Sequence, residues 1–142
     1  MKNDLIFADT NLFLRFLTKD VPEQSEAVRK LLLKATQGDI TLITTSMVIA
    51  EIIWTLESFY KETREEIQQM VLSFLNTPGL TVDNGELVIR ALRWYVDKRI
   101  DFIDAYNAAW MEIREITTIC TLDVKHFSRL EDLNVLRPEA IK

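Results

Sequence analysis

Five acidic residues lie next to or within apolar runs of the sequence: Asp9, Glu51, Asp101, Asp104 and Asp123. Carboxylates that pack together repel one another and raise one another's pKa, so a divalent ion normally holds such a group together. Oxygen donors without histidine or cysteine partners suit Mg²⁺ or Mn²⁺ rather than zinc. If these acids converge in the fold, the sequence predicts a site for Mg²⁺ or Mn²⁺.

Most of these acids also have a purely structural explanation. An aspartate after a strand is often a turn former or a helix N-cap, and this explanation is sufficient for Asp9 or Asp123 alone. Asp101 stands where an N-cap belongs, and Asp104 follows three residues later, near the positive end of the helix dipole. The metal interpretation therefore depends on the joint pattern and not on any single aspartate.

Glu51 is harder to explain as a structural residue. All of its neighbours from Met47 to Trp54 are apolar, which predicts a helix that is buried on most sides. An unpaired carboxylate in such a helix would cost on the order of several kcal/mol. We therefore expect Glu51 to have a bound cation, a raised pKa or a position in a cleft.

Other catalytic groups are weakly represented. His126 is the only histidine and is expected at the surface or in helix packing. Cys120 is the only cysteine; it lies within TTICTL, cannot form an internal disulfide and is expected to be a small buried side chain. The glycines are isolated from one another, which excludes a glycine-rich phosphate loop, and no Ser/His/Asp arrangement is apparent.

The elements that must position the acids alternate along the chain. Apolar and β-branched runs predict strands at 4–8, 40–44, 80–82, 117–122 and 134–136. Periodicity and end signals predict helices at 11–18, 22–36, 46–60, 63–77, 83–98, 101–115 and from 124 onward. Ser46 is the expected cap of the third helix, and Thr63 with Glu66 forms a capping box for the fourth.

Strands that are continuously apolar and separated by helices indicate an α/β fold, with helices on both faces of a parallel β-sheet. The length of 142 residues and the 48% apolar content fit a single domain spanning residues 1–142. Ligands of such sheets bind beyond the carboxyl ends of the strands. The acids can converge at that edge.

Charge and hydropathy limit the possible partners. A formal net charge of −5 argues against binding nucleic acid by bulk electrostatics, so a polyanion would require a bound metal or local basic groups. No signal peptide and no run of transmembrane length is apparent. We expect a soluble cytoplasmic protein with no membrane partner.

Four segments carry a resemblance to a known family. FADTN stands near the start, TTSMVIAEIIW in the middle, DFIDAYNAA two thirds along and TLDVKHF close to the end. In this order and at these intervals they resemble the PIN-domain nucleases, and within them the VapC-type toxins of prokaryotic toxin–antitoxin pairs. The resemblance covers nearly the whole chain and implies a PIN-like α/β fold.

The resemblance also implies a site and its cofactor, Mg²⁺ or Mn²⁺. It assigns the catalytic, metal-binding acids to Asp9, Glu51, Asp104 and Asp123. Asp101 is implied as an auxiliary metal ligand; Asp104 is favoured as the more direct of the two, and the choice stays open. Asn11 and Ser46 match polar residues that orient the first acid and its surroundings. Thr10 is expected to fix the rotamer of Asp9 or to cap the following helix.

The implied activity is metal-dependent hydrolysis of RNA phosphodiester bonds, in which one or two ions lower the pKa of a water and stabilise developing charge. The implied partners are an RNA substrate and a small antitoxin that blocks the site, and a homodimer is expected. Met47 and the tryptophans are interpreted as core or dimer-interface residues. Candidates for phosphate contacts are Arg15, Lys19, Lys125 and Arg129, although solvated helix faces explain them equally well.

Three other functions fit the sequence less well. A receiver-type signalling domain requires adjacent acids after the first strand. A phosphatase with an aspartate nucleophile requires a second acid in place of Asn11. The strongest alternative is a non-catalytic PIN-like module that binds RNA or a protein. The presence of all four acids favours the nuclease over that module.

Overall fold

The computed structural model of the chain describes residues 4–141, which form five strands, seven α-helices and one turn of 3₁₀-helix. These residues divide into two compact units, an N-terminal unit that ends at Gly85 and a C-terminal unit that begins at Glu86. Within residues 4–141, every helix is too short or too polar to traverse a lipid bilayer.

The N-terminal unit contains three strands and four helices. The strands are β1 (Asp4–Phe7), β2 (Ile40–Thr44) and β3 (Leu80–Val82). The helices are α1 (Thr10–Thr18), α2 (Pro22–Thr36), α3 (Ser46–Ser58) and α4 (Arg64–Leu75). The sequence predicts each of these elements to within about two residues at either end, which is the usual uncertainty of element boundaries.

The three strands form a parallel sheet in the order β1-β2-β3. Phe7 at the end of β1 is in register with Ile43 of β2. Thr44, the last residue of β2, pairs in the same way with Val82, the last residue of β3. The residues that follow the three strands therefore lie side by side at one edge of the sheet.

One face of α3 supplies much of the core of this unit. Its buried side chains recur at helical spacing: Ile49, Ile52, Ile53 and Leu56. Elsewhere in the core, the ring of Phe13 packs edge-on against Phe74, with the ring centroids 4.7 Å apart. Burial stabilises the fold by roughly 1.5–3 kcal/mol for each such side chain, which outweighs the slightly lower helix propensity of the branched isoleucines.

The N-cap of α3 is Thr45, so the expected cap at Ser46 is wrong. Thr45 has an extended backbone, and its side chain accepts a hydrogen bond from a backbone N–H in the first turn of α3 at 3.3 Å. Ser46 is instead the first helical residue. Its hydroxyl donates to the backbone carbonyl of Asp83 at 2.8 Å, which joins the start of α3 to the end of β3. The capping box of Thr63 and Glu66 at the start of α4 is confirmed.

β1 is exposed, although the apolar run at 4–8 is expected to be a buried strand. All four of its residues are exposed, including Leu5 and Phe7. β1 is the edge strand of its sheet, and burial begins only at Ala8, directly after it. The apolar run therefore identifies the strand but does not reveal its position in the sheet.

The C-terminal unit contains three helices and two strands. The helices are α5 (Gly85–Asp97), which begins at the boundary, α6 (Phe102–Ile113) and α7 (Val124–Phe127). The strands are β4 (Thr118–Cys120) and β5 (Asn134–Leu136), which pair in parallel, and a 3₁₀ turn (Pro138–Ala140) follows. The α/β class and the parallel pairing expected from the sequence are confirmed, with the described strands divided between two sheets.

Helices α5 and α6 supply most of the buried side chains of this unit, among them Val88, Leu92, Tyr95, Ala105 and Ala109. The small alanines of α6 favour close helix packing. Cys120 is exposed, so the expectation that it is buried is wrong. It shares one face of the short strand β4 with exposed Thr118, while Ile119 on the other face is half-buried.

Gly79 is predicted to tolerate substitution less well than Gly38. Both have positive φ, +82° and +85°, which an alanine adopts at a cost of about 1–2 kcal/mol. A Cβ on Gly79 would lie 2.1 Å from the carbonyl oxygen of Ala35 in α2, whereas a Cβ on Gly38 would meet nothing within 4 Å. We expect Gly79→Ala to lower the free energy of unfolding by about 1–3 kcal/mol more than Gly38→Ala in urea denaturation. Equal losses would contradict the close approach of α2 and β3.

Candidate active site

Asp9 lies at the carboxyl edge of the sheet in the N-terminal unit. β1 ends two residues earlier, and Asp9 occupies the N-cap position of α1 with an extended backbone. Its carboxylate nevertheless makes no capping hydrogen bond, and the residue is exposed. The capping explanation is therefore not supported at Asp9. Asn11 follows in the first turn of α1 and is also exposed.

Glu51 is exposed, which corrects the expectation that its helix is buried on most sides. α3 turns its isoleucines to the core, whereas Met47, Glu51 and Trp54 share the opposite, exposed face at spacings of four and three residues. Met47 is 83% and Trp54 67% exposed, so neither is a core residue. Glu51 therefore does not carry the burial cost that its apolar neighbours predict.

Thr10 connects the two acids of the N-terminal unit. It is buried, directly follows Asp9, and its hydroxyl donates a hydrogen bond to Oε1 of Glu51. The sequence predicts instead that Thr10 fixes Asp9 or caps α1, so its contact with Glu51 was missed. The position of Thr10 next to Asp9 indicates a polar role for its hydroxyl. The sequence does not show that its partner is Glu51, because that residue lies in α3 and is distant in sequence.

Two further hydroxyl groups fix the same edge of the sheet. The buried Thr44 hydroxyl donates to the carbonyl of Ala8 at 2.8 Å, directly before Asp9. The Ser46 hydroxyl holds the carbonyl of Asp83. These bonds tie the ends of the three neighbouring strands together, so the backbone that carries Asp9 and the start of α3 is well defined.

Two acids of the C-terminal unit, Asp101 and Asp123, act electrostatically on a third, Asp104. Asp101 occupies the N-cap position of α6, and Asp104 lies in its first turn. Partial burial raises the pKa of the Asp104 carboxyl, and the negative charges of Asp101 and Asp123 raise it further, while His126 opposes them. The structure therefore brings these three predicted acids into one electrostatic group.

Asp123 is the N-cap of α7, and His126 is its principal partner. Oδ1 of Asp123 accepts a hydrogen bond from the backbone N–H of His126 at 3.2 Å. Ring nitrogen Nδ1 of His126 lies 2.8 Å from both Oδ1 and Oδ2. The hydrogen bond from this ring is the main reason that the pKa of Asp123 lies below its usual range. His126 therefore contacts a predicted site acid and is not simply a surface or packing residue.

The metal site that the sequence predicts is not assembled in the part of the chain that the structure describes. Among residues 4–141, no set of three or more acidic, histidine or cysteine side chains is arranged to hold a metal ion. The predicted ligands are all carboxylates, and carboxylate oxygens are the donors that Mg²⁺ and Mn²⁺ prefer.

Two of the candidate phosphate-binding cations have local partners. Arg15 forms an ion pair with Asp20 at 3.2 Å. The guanidinium of Arg129 donates to the backbone carbonyls of Lys98 and Arg99 at 3.3 and 2.6 Å, so it holds the chain that follows α5. These contacts favour structural roles for both arginines.

A separate cavity of about 410 Å³ opens in the C-terminal unit. Its walls come from α5, α6 and the segment between α7 and β5, and include Trp94, Lys98, Glu112, Leu130 and Asp132. None of the predicted site acids lines it. The cavity is therefore not the candidate active site.

A family model described as "PIN domain" matches residues 6–133 of the chain. The chain belongs to the PIN-domain family. The matched part of this PIN domain extends from β1 to the residue before β5 and includes every predicted site residue, from Asp9 to Asp123. The family resemblance read from the sequence is confirmed, and the assignment of the site residues stays a prediction.

Known proteins resemble this PIN domain over most of their length. A VapC ribonuclease of Aquifex aeolicus (strain VF5) is 27% identical over 113 residues, which cover 78% of this chain and 83% of the relative. A solved structure, VapBC2 from Rickettsia felis bound to a DNA fragment from their promoter, aligns with 21% identity and a TM-score of 0.39. That alignment covers 94% of this chain and 98% of the other.

Replacing Asp104 by asparagine is predicted to stabilise the metal-free protein. Because the pKa of Asp104 is raised, the folded state binds its proton more tightly than the unfolded chain, and stability falls as pH rises through the folded pKa. The ionised carboxylate carries this loss of stability, and Asp104→Asn removes it. We expect a Tm higher than wild type by roughly 2 °C in EDTA at pH 7, with a smaller difference near pH 4.

The matched control for this measurement is Asp39→Asn, which removes the same charge from an exposed loop position. A rise in Tm for both variants would reflect net charge alone. A fall in the Tm of Asp104→Asn would contradict the repulsion at α6.

Proposed function

We propose that this PIN domain is a metal-dependent endoribonuclease, the toxin of a type II toxin–antitoxin pair, which hydrolyses RNA phosphodiester bonds in the cytoplasm. The family match and the similarity to a VapC ribonuclease over most of both chains support the proposal. The observation that carries it furthest is the raised pKa of Asp104, which burial causes first and the charges of Asp101 and Asp123 increase, because perturbed carboxyl groups of this kind are typical of functional sites.

The proposed catalytic and metal-binding acids are Asp9, Glu51, Asp104 and Asp123. Asp101 is an auxiliary ligand beside Asp104 at the start of α6. All of these donors are carboxylate oxygens, so the cofactor is Mg²⁺ or Mn²⁺. When bound, such an ion acts as a Lewis acid toward the phosphate and makes water a better nucleophile.

The protein's own residues position this chemistry. The hydroxyl of Thr10 donates a hydrogen bond to one oxygen of Glu51, and the carboxylate of Asp9 makes no capping hydrogen bond. The net charge of −5 would repel RNA in the absence of metal, so the bound cation also makes substrate binding possible. Asn11 and Ser46 are the proposed supporting residues of the first acid: Asn11 lies in the first turn of α1, and the hydroxyl of Ser46 donates to the backbone carbonyl of Asp83 after β3.

Asp9→Asn is predicted to lower RNA cleavage by at least about 100-fold, because the amide cannot replace a charged metal ligand. The assay uses purified protein with defined transfer and messenger RNAs, in Mn²⁺ or Mg²⁺ and in EDTA. Wild-type cleavage should require the metal, and Asp39→Asn should cleave as well as wild type.

Two outcomes would contradict the proposal. Undiminished cleavage by both Asp9→Asn and Asp104→Asn would indicate a contaminating nuclease. Metal-independent RNA binding without cleavage by wild type would favour the non-catalytic PIN-like module.

The proposed protein partners are a small antitoxin that blocks the site, as the resemblance to the toxin branch implies, and a second copy of the chain. Large exposed apolar side chains are typical of interaction surfaces. Trp54 and, just beyond the end of α3, Phe59 are 67% and 74% exposed. We assign them to the homodimer interface, where a two-fold axis would place the same patch on both sides.

Trp54→Glu is predicted to weaken the dimer by at least about tenfold, because a charge replaces an apolar anchor at its interface. Light scattering after gel filtration, over a range of protein concentrations, measures the effect. Leu33→Glu is the control, since Leu33 is an exposed apolar residue of a different helix, α2. A wild-type monomer, or a Trp54→Glu variant that stays dimeric, would contradict the assignment.

A further inference from the structure

We propose that the cavity of the C-terminal unit binds a small organic cation, an aliphatic diamine or polyamine that carries an ammonium group at each end of an apolar chain. The cavity has a volume of about 410 Å³, within the roughly 300–1,000 Å³ that is typical of small-molecule sites. None of the predicted active-site acids lines it. The proposal therefore goes beyond the proposed nuclease function and does not depend on it.

Part of the lining of the cavity is apolar. Trp94 and Leu133 are half-buried, Ala108 and Leu130 are buried, and all four border the cavity. Such a surface favours the methylene groups of a ligand, because contact with it removes apolar area from water. The face of an indole ring also attracts a cation through the negative potential of its π system. This wall therefore suits a cation that has an aliphatic chain.

The charged side chains of the lining are mostly acidic. They comprise one lysine, Lys98, and four acids, which together carry a net charge of −3: Glu112, Glu115, Glu131 and Asp132. An RNA phosphate or a nucleotide would be repelled by this charge, whereas a cation would be attracted. Charge complementarity thus favours a cationic ligand and argues against the substrate of the proposed nuclease.

Three of the four acids are available to such a ligand. Glu112 already forms an ion pair with Arg90 of α5. Glu115, Glu131 and Asp132 are exposed, and within residues 4–141 they form no ion pair with a basic side chain. The single lysine of the cavity therefore does not neutralise them.

The three available acids come from two segments of the chain. Glu115 follows the last turn of α6, whereas Glu131 and Asp132 lie between α7 and β5. In the described part of the chain, no three acidic, histidine or cysteine side chains are close enough to hold a metal ion. The acids are thus too dispersed for one metal ion. Two ammonium groups joined by a chain match them better, because each end can contact the acid of a different segment.

Glu115 has an unfavourable position in two respects. Its φ of +58° lies in the left-handed region, which disfavours residues other than glycine. It also stands at the end of α6, where the negative end of the helix dipole disfavours an acid. Lys19, Lys61 and Arg99 have similar positive φ values shortly after other helices, and all three are basic. A cation bound in the cavity would offset the unfavourable placement of the Glu115 charge.

The test measures the binding of putrescine, a diamine, and of butylamine, a monoamine with the same number of carbons. Isothermal titration at low ionic strength, without RNA or metal, gives both dissociation constants. The cavity variant combines Glu115→Gln with Glu131→Gln and so removes one acid from each segment. The charge-matched control combines Glu23→Gln with Asp39→Asn, two exposed positions of the N-terminal unit. Trp94→Leu tests the aromatic wall.

We expect wild type to bind one putrescine and to bind butylamine at least about threefold more weakly, because butylamine lacks the second cationic end. The cavity variant should lose about tenfold in affinity for putrescine, about threefold for each acid. Trp94→Leu should lose about threefold, and the charge-matched control should stay within about twofold of wild type.

Thermal melting shows whether each variant is folded. If the cavity variant melts well below wild type, Glu131→Gln alone replaces it, with an expected loss of about threefold. Absence of putrescine binding by wild type would overturn the inference. Equal affinity for the diamine and the monoamine would do so as well, and so would an equal loss in the cavity variant and the control. None of these results concerns RNA cleavage, so the proposed nuclease function would be unaffected.

Discussion

Repulsion between carboxylates is the physical constraint on which the proposed site depends. In the C-terminal unit, partial burial is the largest cause of the raised pKa of Asp104, and the negative charges of Asp101 and Asp123 raise it further. Neutral side chains of similar shape would remove this repulsion and pack equally well. Under the proposed function, a divalent cation is the ligand that requires these charges.

Hydrogen bonds from neighbouring residues restrict the orientation of two predicted site carboxylates. Glu51 accepts a hydrogen bond from the hydroxyl of Thr10, and Asp123 accepts one from the backbone N–H of His126 and contacts its ring. At Asp123 the contact with the ring also lowers the pKa of the carboxyl. The parallel sheet adds a further restriction, because it aligns the chain segments after β1, β2 and β3 at one edge. Side-chain and backbone hydrogen bonds thus orient the carboxylates, whereas the strands of the parallel sheet place the backbone segments after them.

The elements of the fold could largely be predicted because their signals are local. The capping box of Thr63 and Glu66 and the proline at the start of α2 mark their helices directly. Burial was less predictable: β1 and Cys120 are exposed despite apolar neighbours. Which face of an element is covered depends on packing by other elements, and a short run of sequence does not contain that information.

In the candidate site, too, some features could be predicted from the sequence and others could not. The acids and the family could be recognised from four motifs, and the family is confirmed. The contact from Thr10 to Glu51 could not be recognised, because it joins residues on different helices that are distant in sequence. His126 is only three residues from Asp123, but a helix of one turn gives too little periodicity to show that the two side chains meet.

The bond between Thr10 and Glu51 has a mechanical consequence. Asp9 and Thr10 are consecutive residues at the first turn of α1, and Thr10 holds the acid of α3. Asp9 and Glu51 are remote in the sequence, but the positions of both depend on the first turn of α1. A protein or small molecule that displaced this single turn would misplace both acids together, without touching either carboxylate.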